Sequence, residues 1–422
     1  MTIIELFSGI GAQAKAFEKN HTRHKILHTC EWDIHAIIAY DLIHNKPGIH
    51  QKARNLSKEE LLGKLSEYSL SNDGKNPMPY SSLRTMSEDS LRLLYSSILK
   101  THNFVSVTDL KGEQLPDNID VLTYSFPCQD LSNVGAFHGY KKGIDRDAHN
   151  RSGLLWEVER ILLERFNNGR DLPRFLLLEN VPALQNSRHR SNFEDWQNEL
   201  REMGYYNKIY ILNASDFGLP QNRERLLMLS VRTDNNEELN TNLDAYFRKH
   251  NLESADYRNK RPYKQLNLKD ALKTDYSIRK YYLEALECQP NDTVSRREIW
   301  EDNPQLTDDN GTIIADRVAT LTTKQDRNPN SGNLRVNFNN GKSGFRYLTP
   351  RECFLLMGFE EDDYEHVMMN NVQVKKDLKL FTRDKMIRLA GNSIAVNVLQ
   401  AVFRQVCDIQ KKFFRNNERG DE

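Results

Sequence analysis

The sequence predicts an α/β fold, in which an open sheet carries helices on both faces and a smaller domain is attached. Short apolar runs of strand length recur along the chain, at residues 3–7, 26–30, 120–125 and 175–178, and segments of helical spacing separate them. The runs end in small, acidic or thiol-bearing residues. Such residues are typical of the carboxyl edge of an open α/β sheet, where ligands bind.

Composition limits the classes of protein that fit. The 422 residues are 38% hydrophobic and carry no net charge, so composition alone gives no indication of nucleic-acid binding. The absence of an apolar run of eighteen residues and of a signal-like start predicts a soluble, cytoplasmic protein without a membrane association. The chain has five cysteines, Cys30, Cys128, Cys288, Cys353 and Cys407. None of them forms a CxxC pair, which argues against a disulfide framework and a zinc site.

A turn of small residues follows the first strand. Gly9 and Gly11 lie within Ser-Gly-Ile-Gly-Ala and open a helix, so a ligand is able to approach the backbone closely. Glu31 ends the second strand, about twenty residues later, where folds of this class bind ribose hydroxyls. The glycine pattern matches a dinucleotide fingerprint only in part. Together, the turn and the acid indicate a cofactor that contains a nucleoside.

A thiol and a carboxylate follow two further strands. Cys128 comes after residues 120–125, and Pro127 stiffens the turn before it. Taken alone, such a cysteine is more often an inert core residue than a nucleophile. Glu179, however, ends the strand at 175–178 and is expected at the same sheet edge. Arg223 and Arg225 precede another strand, at 226–231; a solvated turn is the alternative explanation for the two arginines.

The order of these segments resembles the DNA (cytosine-5) methyltransferase family, in its bacterial restriction-modification form. The similar segments cover nearly the whole chain, except for about 46–104 and 236–343. They are 4–11 (cofactor motif), 31–33 (ribose acid), 108–110 (adenine segment), 126–129 (nucleophile loop), 151–154, 179–181 (catalytic acid), 221–225 (Gln-x-Arg-x-Arg), 346–352 and 391–393.

The resemblance implies a Rossmann-like methyltransferase sheet that binds S-adenosyl-L-methionine. Phe7 and Trp32 are then expected to pack on the cofactor, and Asp109 to accept a hydrogen bond from its adenine amino group. The cofactor-binding residues implied are Phe7, Gly9, Gly11, Glu31, Trp32, Asp109, Pro127, Asn392 and Ser393. Because Asn392 and Ser393 lie near the end of the chain, the amphipathic helix that follows them is expected to return to the first domain.

The same resemblance implies a covalent mechanism. Carbon 5 of cytosine is a weak nucleophile until a thiolate, here that of Cys128, adds to carbon 6. Glu179 is expected to donate to N3, while Arg225 and also Arg223 hold the carbonyl oxygen. The target base must leave the duplex stack to be reached. No residue is identified for removing the carbon 5 proton, and water is a candidate.

The domain organisation follows from the gaps between the motifs. Residues 1–235 and 385–422 are predicted to form the catalytic domain, with a helical insertion at 46–104. Residues 236–345 are predicted to recognise the target and 346–384 to join the two. Six Lys or Arg and one acid occur from Arg317 to Arg346, so Lys324, Arg327 and Asn328 are predicted to contact DNA bases. A solvated surface loop is the alternative.

The predicted partner is double-stranded DNA, with a genetic association to a restriction endonuclease, and the protein is expected to be a monomer. A tRNA cytosine-5 methyltransferase shares the catalytic motifs, although the long segment between Arg225 and Arg346 suits duplex recognition better. A nucleotide-level pyrimidine methylase would not need that segment. A non-enzymatic DNA-binding relative is disfavoured because Cys128, Glu179 and Arg225 are all present.

Overall fold

A computed structural model describes residues 1–127, 144, 151–260 and 263–414, with the side chains of residues 151 and 152 left out. In these residues a six-stranded sheet has the order β2-β1-β3-β4-β6-β5. Its strands are β1 (Thr2–Leu6), β2 (Lys25–Cys30), β3 (Val121–Tyr124), β4 (Phe175–Asn180), β5 (Tyr205–Asn213) and β6 (Glu224–Arg232).

The sheet is mostly parallel. β1 pairs in parallel with β2 and β3, and β3 pairs in parallel with β4. β6 runs antiparallel to both of its neighbours, β4 and β5. The carboxyl ends of β1, β2, β3 and β4 therefore meet at one edge of the sheet, as the sequence predicts, and the predicted α/β fold class is confirmed.

Alternate side chains of each strand enter two different hydrophobic clusters. Ile3 and Phe175 belong to one cluster, which also holds Phe17, whereas Ile4 and Leu176 belong to the other. The first cluster lies under α1 (Ala12–Lys19) and α2 (Ile34–His44), the second under α7 (Leu155–Asn167) and α8 (Arg190–Glu202). Helices therefore cover both faces of the sheet. Because successive strand residues point to opposite faces, both sets of side chains are buried, which explains the nearly continuous apolar runs of the central strands β3 and β4.

The 46–104 segment is helical, as predicted. It contains α3 (Gln51–Arg54), α4 (Lys58–Leu65), α5 (Tyr80–Arg84) and α6 (Glu88–Lys100). A capping box begins α4: Ser57 Oγ accepts from the Glu60 amide, and the Glu60 carboxylate accepts from the Ser57 amide. α6 packs on α2, where Lys100 Nζ lies 2.8 Å from Asp41 Oδ1.

The 236–345 segment is fused to the catalytic body rather than set apart. It contains α9 (Glu237–Lys249), α10 (Ala255–Asn259), α11 (Leu268–Ala271), α12 (Arg279–Glu287), α13 (Val294–Asp302) and β7 (Asn333–Arg335), which pairs with β8 (Phe345–Tyr347). α9 lies against the sheet, because Phe247 stacks on Tyr206 of β5. Leu321 and Leu334 belong to the same hydrophobic cluster as β1.

The C-terminal part closes the fold. It contains α14 (Pro350–Leu356), α15 (Glu361–Met369), the hairpin of β9 (Gln373–Lys375) and β10 (Leu378–Lys379), α16 (Arg383–Asn392) and α17 (Val396–Ile409). α17 returns to α1 as predicted. The ring centroids of Phe403 and Phe17 are stacked 3.9 Å apart. Within the described residues, the stretch Arg383–Phe414 is long and apolar enough to cross a membrane, but 83% of its apolar window is buried inside the protein, as in a core helix.

Candidate active site

A carboxylate, a hydroxyl and a guanidinium meet at the carboxyl ends of β3 and β4. Glu179 is the fifth residue of β4 and its side chain is 8% exposed. Ser125 Oγ donates to Glu179 Oε2 at 2.6 Å, and Arg225 Nε lies 3.3 Å from Glu179 Oε1. Each oxygen of the carboxylate thus has its own donor, which fixes its plane. Cys128, three residues beyond Ser125, lies outside the described residues.

Asn180 ties this strand end to the segment that leads to Cys128. Its Nδ2 donates to the Phe126 carbonyl at 3.1 Å, while its Oδ1 accepts from the Val181 amide at 2.8 Å. Phe126 is buried, and Pro127 is half-buried at the end of the described segment. Sequence patterns predict no role for Ser125 or Asn180. The available indication was a polar residue at the end of a buried strand, next to a predicted site residue.

The two arginines of the 221–225 motif have different surroundings. Arg225 faces Glu179. Arg223 is buried, and its Nη1 and Nη2 atoms donate to three backbone carbonyls, those of Leu321 at 3.0 Å, Gly391 at 3.2 Å and Ser393 at 2.8 Å. The expectation that Arg223 holds the substrate carbonyl is therefore corrected: three carbonyls of the protein itself take that place, and Arg223 joins three chain segments.

Gln221 reinforces this junction. Its Nε2 donates to the Leu356 carbonyl at 2.8 Å, and its Oε1 accepts from the Leu321 amide at 2.9 Å. Asn222 N donates to the Val318 carbonyl at 2.9 Å. Residues 318–321 are thus held along the motif. The part of the predicted recognition segment that carries Lys324, Arg327 and Asn328 therefore follows directly after an attachment to the catalytic strand that carries Arg225.

The glycine turn after β1 has two distinct parts. Phe7 and Gly9 both have left-handed backbones, with φ of 57° and 55°, and a Cβ on Gly9 would meet no heavy atom within 4 Å. Gly9 therefore borders open space. Gly11 also has a positive φ, but a Cβ there would collide with His44 and lie 2.8 Å from Tyr40 Cε2. Gly11 is thus required for the packing of α2, a reason other than the predicted approach of the cofactor.

Glu31 bridges the ends of β1 and β2. Its Oε2 accepts from the Gly9 amide at 3.0 Å, and its Oε1 accepts from the amides of Trp32 at 3.0 Å and Asp33 at 2.9 Å. Burial, followed by the charge of Asp33, raises the pKa of Glu31 from 4.5 to about 7. The three amides oppose this rise. The sequence-predicted acid and glycine turn are thus in direct contact.

The insertion borders the same region. Ser69 Oγ donates to Asp109 Oδ2 at 2.7 Å, and both residues line a pocket of about 110 Å³ together with Tyr68 and Val105. Ser71 pairs with the segment after Glu31, because its amide donates to the Trp32 carbonyl at 2.8 Å. Of the residues predicted to bind the adenine, Trp32 is half-buried and Asp109 is exposed, and both contact the insertion. No pattern in the sequence indicates this contact.

Three of the remaining predicted residues line a second cleft. Asn392 is exposed and lines this cleft with Lys324 and Arg327, whereas Ser393 is buried and its carbonyl accepts from Arg223. Asn328 is exposed, and its Nδ2 donates to Asp302 Oδ2 at 2.9 Å. The structure therefore brings Asn392 together with two of the predicted DNA-contact residues.

The residues at the strand ends suit a charged nucleoside cofactor such as S-adenosylmethionine. Glu31 is an acceptor fixed by backbone amides beside open space at Gly9, and the Asp109 carboxylate is exposed. Phe7 and Trp32 are half-buried, so each leaves part of an aromatic surface accessible. A parallel-dominated sheet with an acid and a glycine turn at this edge defines an α/β enzyme that uses a nucleoside cofactor.

Comparison with known proteins narrows the class. The profile of C-5 cytosine-specific DNA methylases matches residues 87–408. The orphan methyltransferase M.SssI of Spiroplasma monobiae is 32% identical over 415 residues, or 96% of this chain and 97% of that protein. The type II methyltransferase M2.ScrFI of Lactococcus lactis subsp. cremoris is 30% identical over 416 residues, or 96% and 99% of the two chains.

Solved structures agree in fold. The S. pombe Dnmt2 methyltransferase aligns with a TM-score of 0.55 and 18% identity over 98% of this chain and 100% of that one. The Entamoeba histolytica methyltransferase EhMeth aligns with a TM-score of 0.54 and 16% identity, over 98% and 99%. The chain belongs to the C-5 cytosine-specific DNA methylase family. The resemblance drawn from the motif order is confirmed, and with it the enzyme class, which implies S-adenosylmethionine as the cofactor and DNA as the substrate.

Proposed function

We propose that this enzyme methylates carbon 5 of one cytosine within a specific duplex sequence, through a covalent adduct of Cys128 with carbon 6. The cluster of Ser125, Glu179 and Arg225 beside the segment that leads to Cys128 is the observation that supports this function most directly. The cluster supplies an acid and a cation at the edge of the sheet, and Cys128 follows in the chain three residues after Ser125. S-adenosylmethionine, when bound, supplies the methyl group.

The reaction balances as an addition and an elimination. The Cys128 thiolate forms a bond to carbon 6, and the electron pair of the 5,6 double bond becomes available at carbon 5. Glu179, in its protonated form, donates its proton to N3, where charge would otherwise build up, and Arg225 binds the neighbouring carbonyl oxygen. The bond between the methyl group and the cofactor sulfur breaks as carbon 5 is methylated, which would leave the neutral thioether S-adenosylhomocysteine. Loss of the carbon 5 proton to a base then restores the double bond and expels the thiolate, and N3 returns its proton to Glu179.

The cytosine must leave the helix for this addition, at a cost of roughly a few kcal/mol that contacts in the site offset. In the proposed complex, Glu31 accepts from the cofactor's ribose hydroxyls, and Asp109 accepts from its adenine amino group. Gly9 leaves room for the methionine end. Asn392 completes the site from the C-terminal part of the chain.

Target recognition is assigned to residues 236–345, and in particular to the residues that follow Leu321, whose carbonyl accepts from Arg223. Lys324, Arg327 and Asn328 are exposed there, and their side chains have the donors that read base edges and phosphates. Protection of the host DNA from a cognate endonuclease is the proposed biological role. Among the relatives, M2.ScrFI is named a type II methyltransferase and M.SssI an orphan one, so a neighbouring endonuclease gene would support that role.

Bisulfite sequencing of DNA from cells that express the chain tests activity and target together. The proposal expects cytosines in one sequence context to resist conversion, and none to resist in cells that express Cys128→Ser. Purified protein should also transfer labelled methyl groups to duplex DNA in preference to tRNA or free dCMP. Preferential labelling of tRNA or of dCMP would replace the proposed substrate with that one.

A further inference from the structure

Several separate parts of the chain line one cleft of about 260 Å³. The insertion contributes the turn at residues 73–75, the predicted recognition segment contributes residues 323–327, and α16 contributes Arg383, Lys385 and Arg388. The insertion at 46–104 has no assigned function and contains none of the short motifs that carry the family resemblance, although the family profile begins within it, at residue 87. Its presence in the wall of this cleft requires an explanation.

The cleft carries more positive than negative charge. Its lining includes six cations, Lys75, Lys324, Arg327, Arg383, Lys385 and Arg388, and three acids, Asp73, Asp326 and Asp384. The α16 cations are already engaged: Arg388 with Asp33, Arg383 with Asp384, and Lys385 Nζ with His35 Nε2 at 2.6 Å.

The other three cations are available to a ligand. Lys75, Lys324 and Arg327 are exposed, and in the described part of the chain no ion pair is formed by any of them. Unpaired cations that share a concave surface raise its positive potential and attract a polyanion. The cleft therefore favours an anionic partner with charges spaced along its length.

The turn that holds Lys75 is rigidly attached. The Ser71 amide donates to the Trp32 carbonyl at 2.8 Å, and the Ile34 amide donates to the Ser71 carbonyl at 2.9 Å. Within the turn, Asp73 Oδ1 accepts from the amides of Lys75 at 2.7 Å and Asn76 at 2.8 Å. The backbone of Lys75 is thus fixed against the segment after β2, and its side chain is left free.

We propose that the insertion is part of the DNA-binding surface, and that Lys75 contacts a phosphate of the duplex in the cleft that also holds Lys324 and Arg327. The proposal rests on the proposed function, because duplex DNA is the polyanion that it takes. A phosphate contact adds affinity without sequence preference. The insertion therefore acts as a clamp that strengthens binding, whereas the recognition segment selects the sequence.

Salt-dependent binding tests this assignment. The affinity of the full-length protein for a labelled mixed-sequence duplex is measured by fluorescence anisotropy between about 50 and 200 mM salt. Lys75→Ala should weaken binding roughly three- to tenfold and reduce the slope of log affinity against log salt by about one. Lys75→Arg should keep both values. Lys52→Ala is the matched control, because Lys52 is an exposed lysine of the insertion that does not line the cleft.

Three outcomes would overturn the inference. If Lys75→Ala binds with the same affinity and salt slope as Lys52→Ala while the unaltered protein methylates DNA, the inference is wrong and the proposed function stands. If the unaltered protein neither binds nor methylates the duplex, both fail. Binding of S-adenosylmethionine to Lys75→Ala, measured by calorimetry, should equal that of the unaltered protein; a weaker value would make the effect one of folding or of the cofactor site.

Discussion

Arg225 Nε lies 3.3 Å from Glu179 Oε1, across the antiparallel pair of β6 and β4. The Glu179 side chain is 8% exposed and that of Arg225 is 16% exposed, so solvent screens this ion pair less than a surface pair. Ser125 holds the second carboxylate oxygen. The three residues form a preorganised group at the edge of the sheet. A substrate could therefore bind there without a rearrangement of these side chains.

Replacement of Glu179 by Gln keeps the shape of this group and removes the acid. We expect kcat for methyl transfer to fall by about 10²- to 10⁴-fold, with little change in the affinity for cofactor or duplex. Steady-state kinetics with labelled S-adenosylmethionine give both values. Glu224→Gln, at an exposed neighbouring position, is the control. A Glu179→Gln enzyme with normal kcat would exclude Glu179 as the proton donor.

The two arginines should separate into an active-site residue and a structural one. Arg223→Met leaves three buried carbonyls without their donor, so we expect a loss of about 3 kcal/mol in the free energy of unfolding. Arg225→Met should cost less stability but lower kcat by about a hundredfold, because a catalytic contact is lost. Thermal unfolding and kcat, measured on both variants, test this division. Equal losses of stability would contradict it.

Cofactor binding should depend on pH through Glu31. Burial raises the pKa of this carboxyl to about 7, and the protonated form is a poorer acceptor for ribose hydroxyls. The affinity for S-adenosylmethionine should therefore fall as the pH drops below 7, by up to about tenfold per pH unit. Glu31→Gln should bind weakly at every pH, whereas Glu113→Gln, an exposed control, should keep the full dependence. Calorimetry from pH 6 to pH 8 would show a flat affinity if Glu31 does not contact the cofactor.

Glu5, inside β1, should link stability to pH. Burial raises its pKa from 4.5 to about 8, so the folded protein holds a proton that the unfolded chain releases. Stability from this group is present below pH 4.5 and is lost as the pH rises to about 8. Glu5→Gln should therefore raise the Tm by several degrees near pH 8.5, and by less near pH 5. An equal shift at both pH values, measured against exposed Glu59→Gln, would disprove the linkage.

Local patterns in the sequence predict the strands and the residues at their ends. The apolar run 226–231 becomes β6 (Glu224–Arg232), and Gly9 meets Glu31 as the order of strands requires. These elements depend on neighbouring residues and on the rule that ligands bind at one edge of an open sheet. The motif that contains Glu179 likewise needs no long-range information.

Contacts between distant segments could not be predicted in this way. Arg223 and Leu321 are 98 residues apart, and nothing in the sequence around either of them encodes their hydrogen bond. The attachment of Ser71 to Trp32, which brings the insertion to the cofactor segment, is of the same kind. A motif identifies Arg223 and Arg225 equally, and only packing separates their roles.

The adduct between Cys128 and the target cytosine tests the central claim most directly. A duplex that carries 5-fluorocytosine at the methylated position should stop the reaction after methyl transfer, because fluorine cannot leave as the proton does. Peptide mass spectrometry of the complex, formed with S-adenosylmethionine present, should then find the methylated base on Cys128 and none with Cys128→Ser. Full methyl transfer by Cys128→Ser, or an adduct on another residue, would contradict the mechanism.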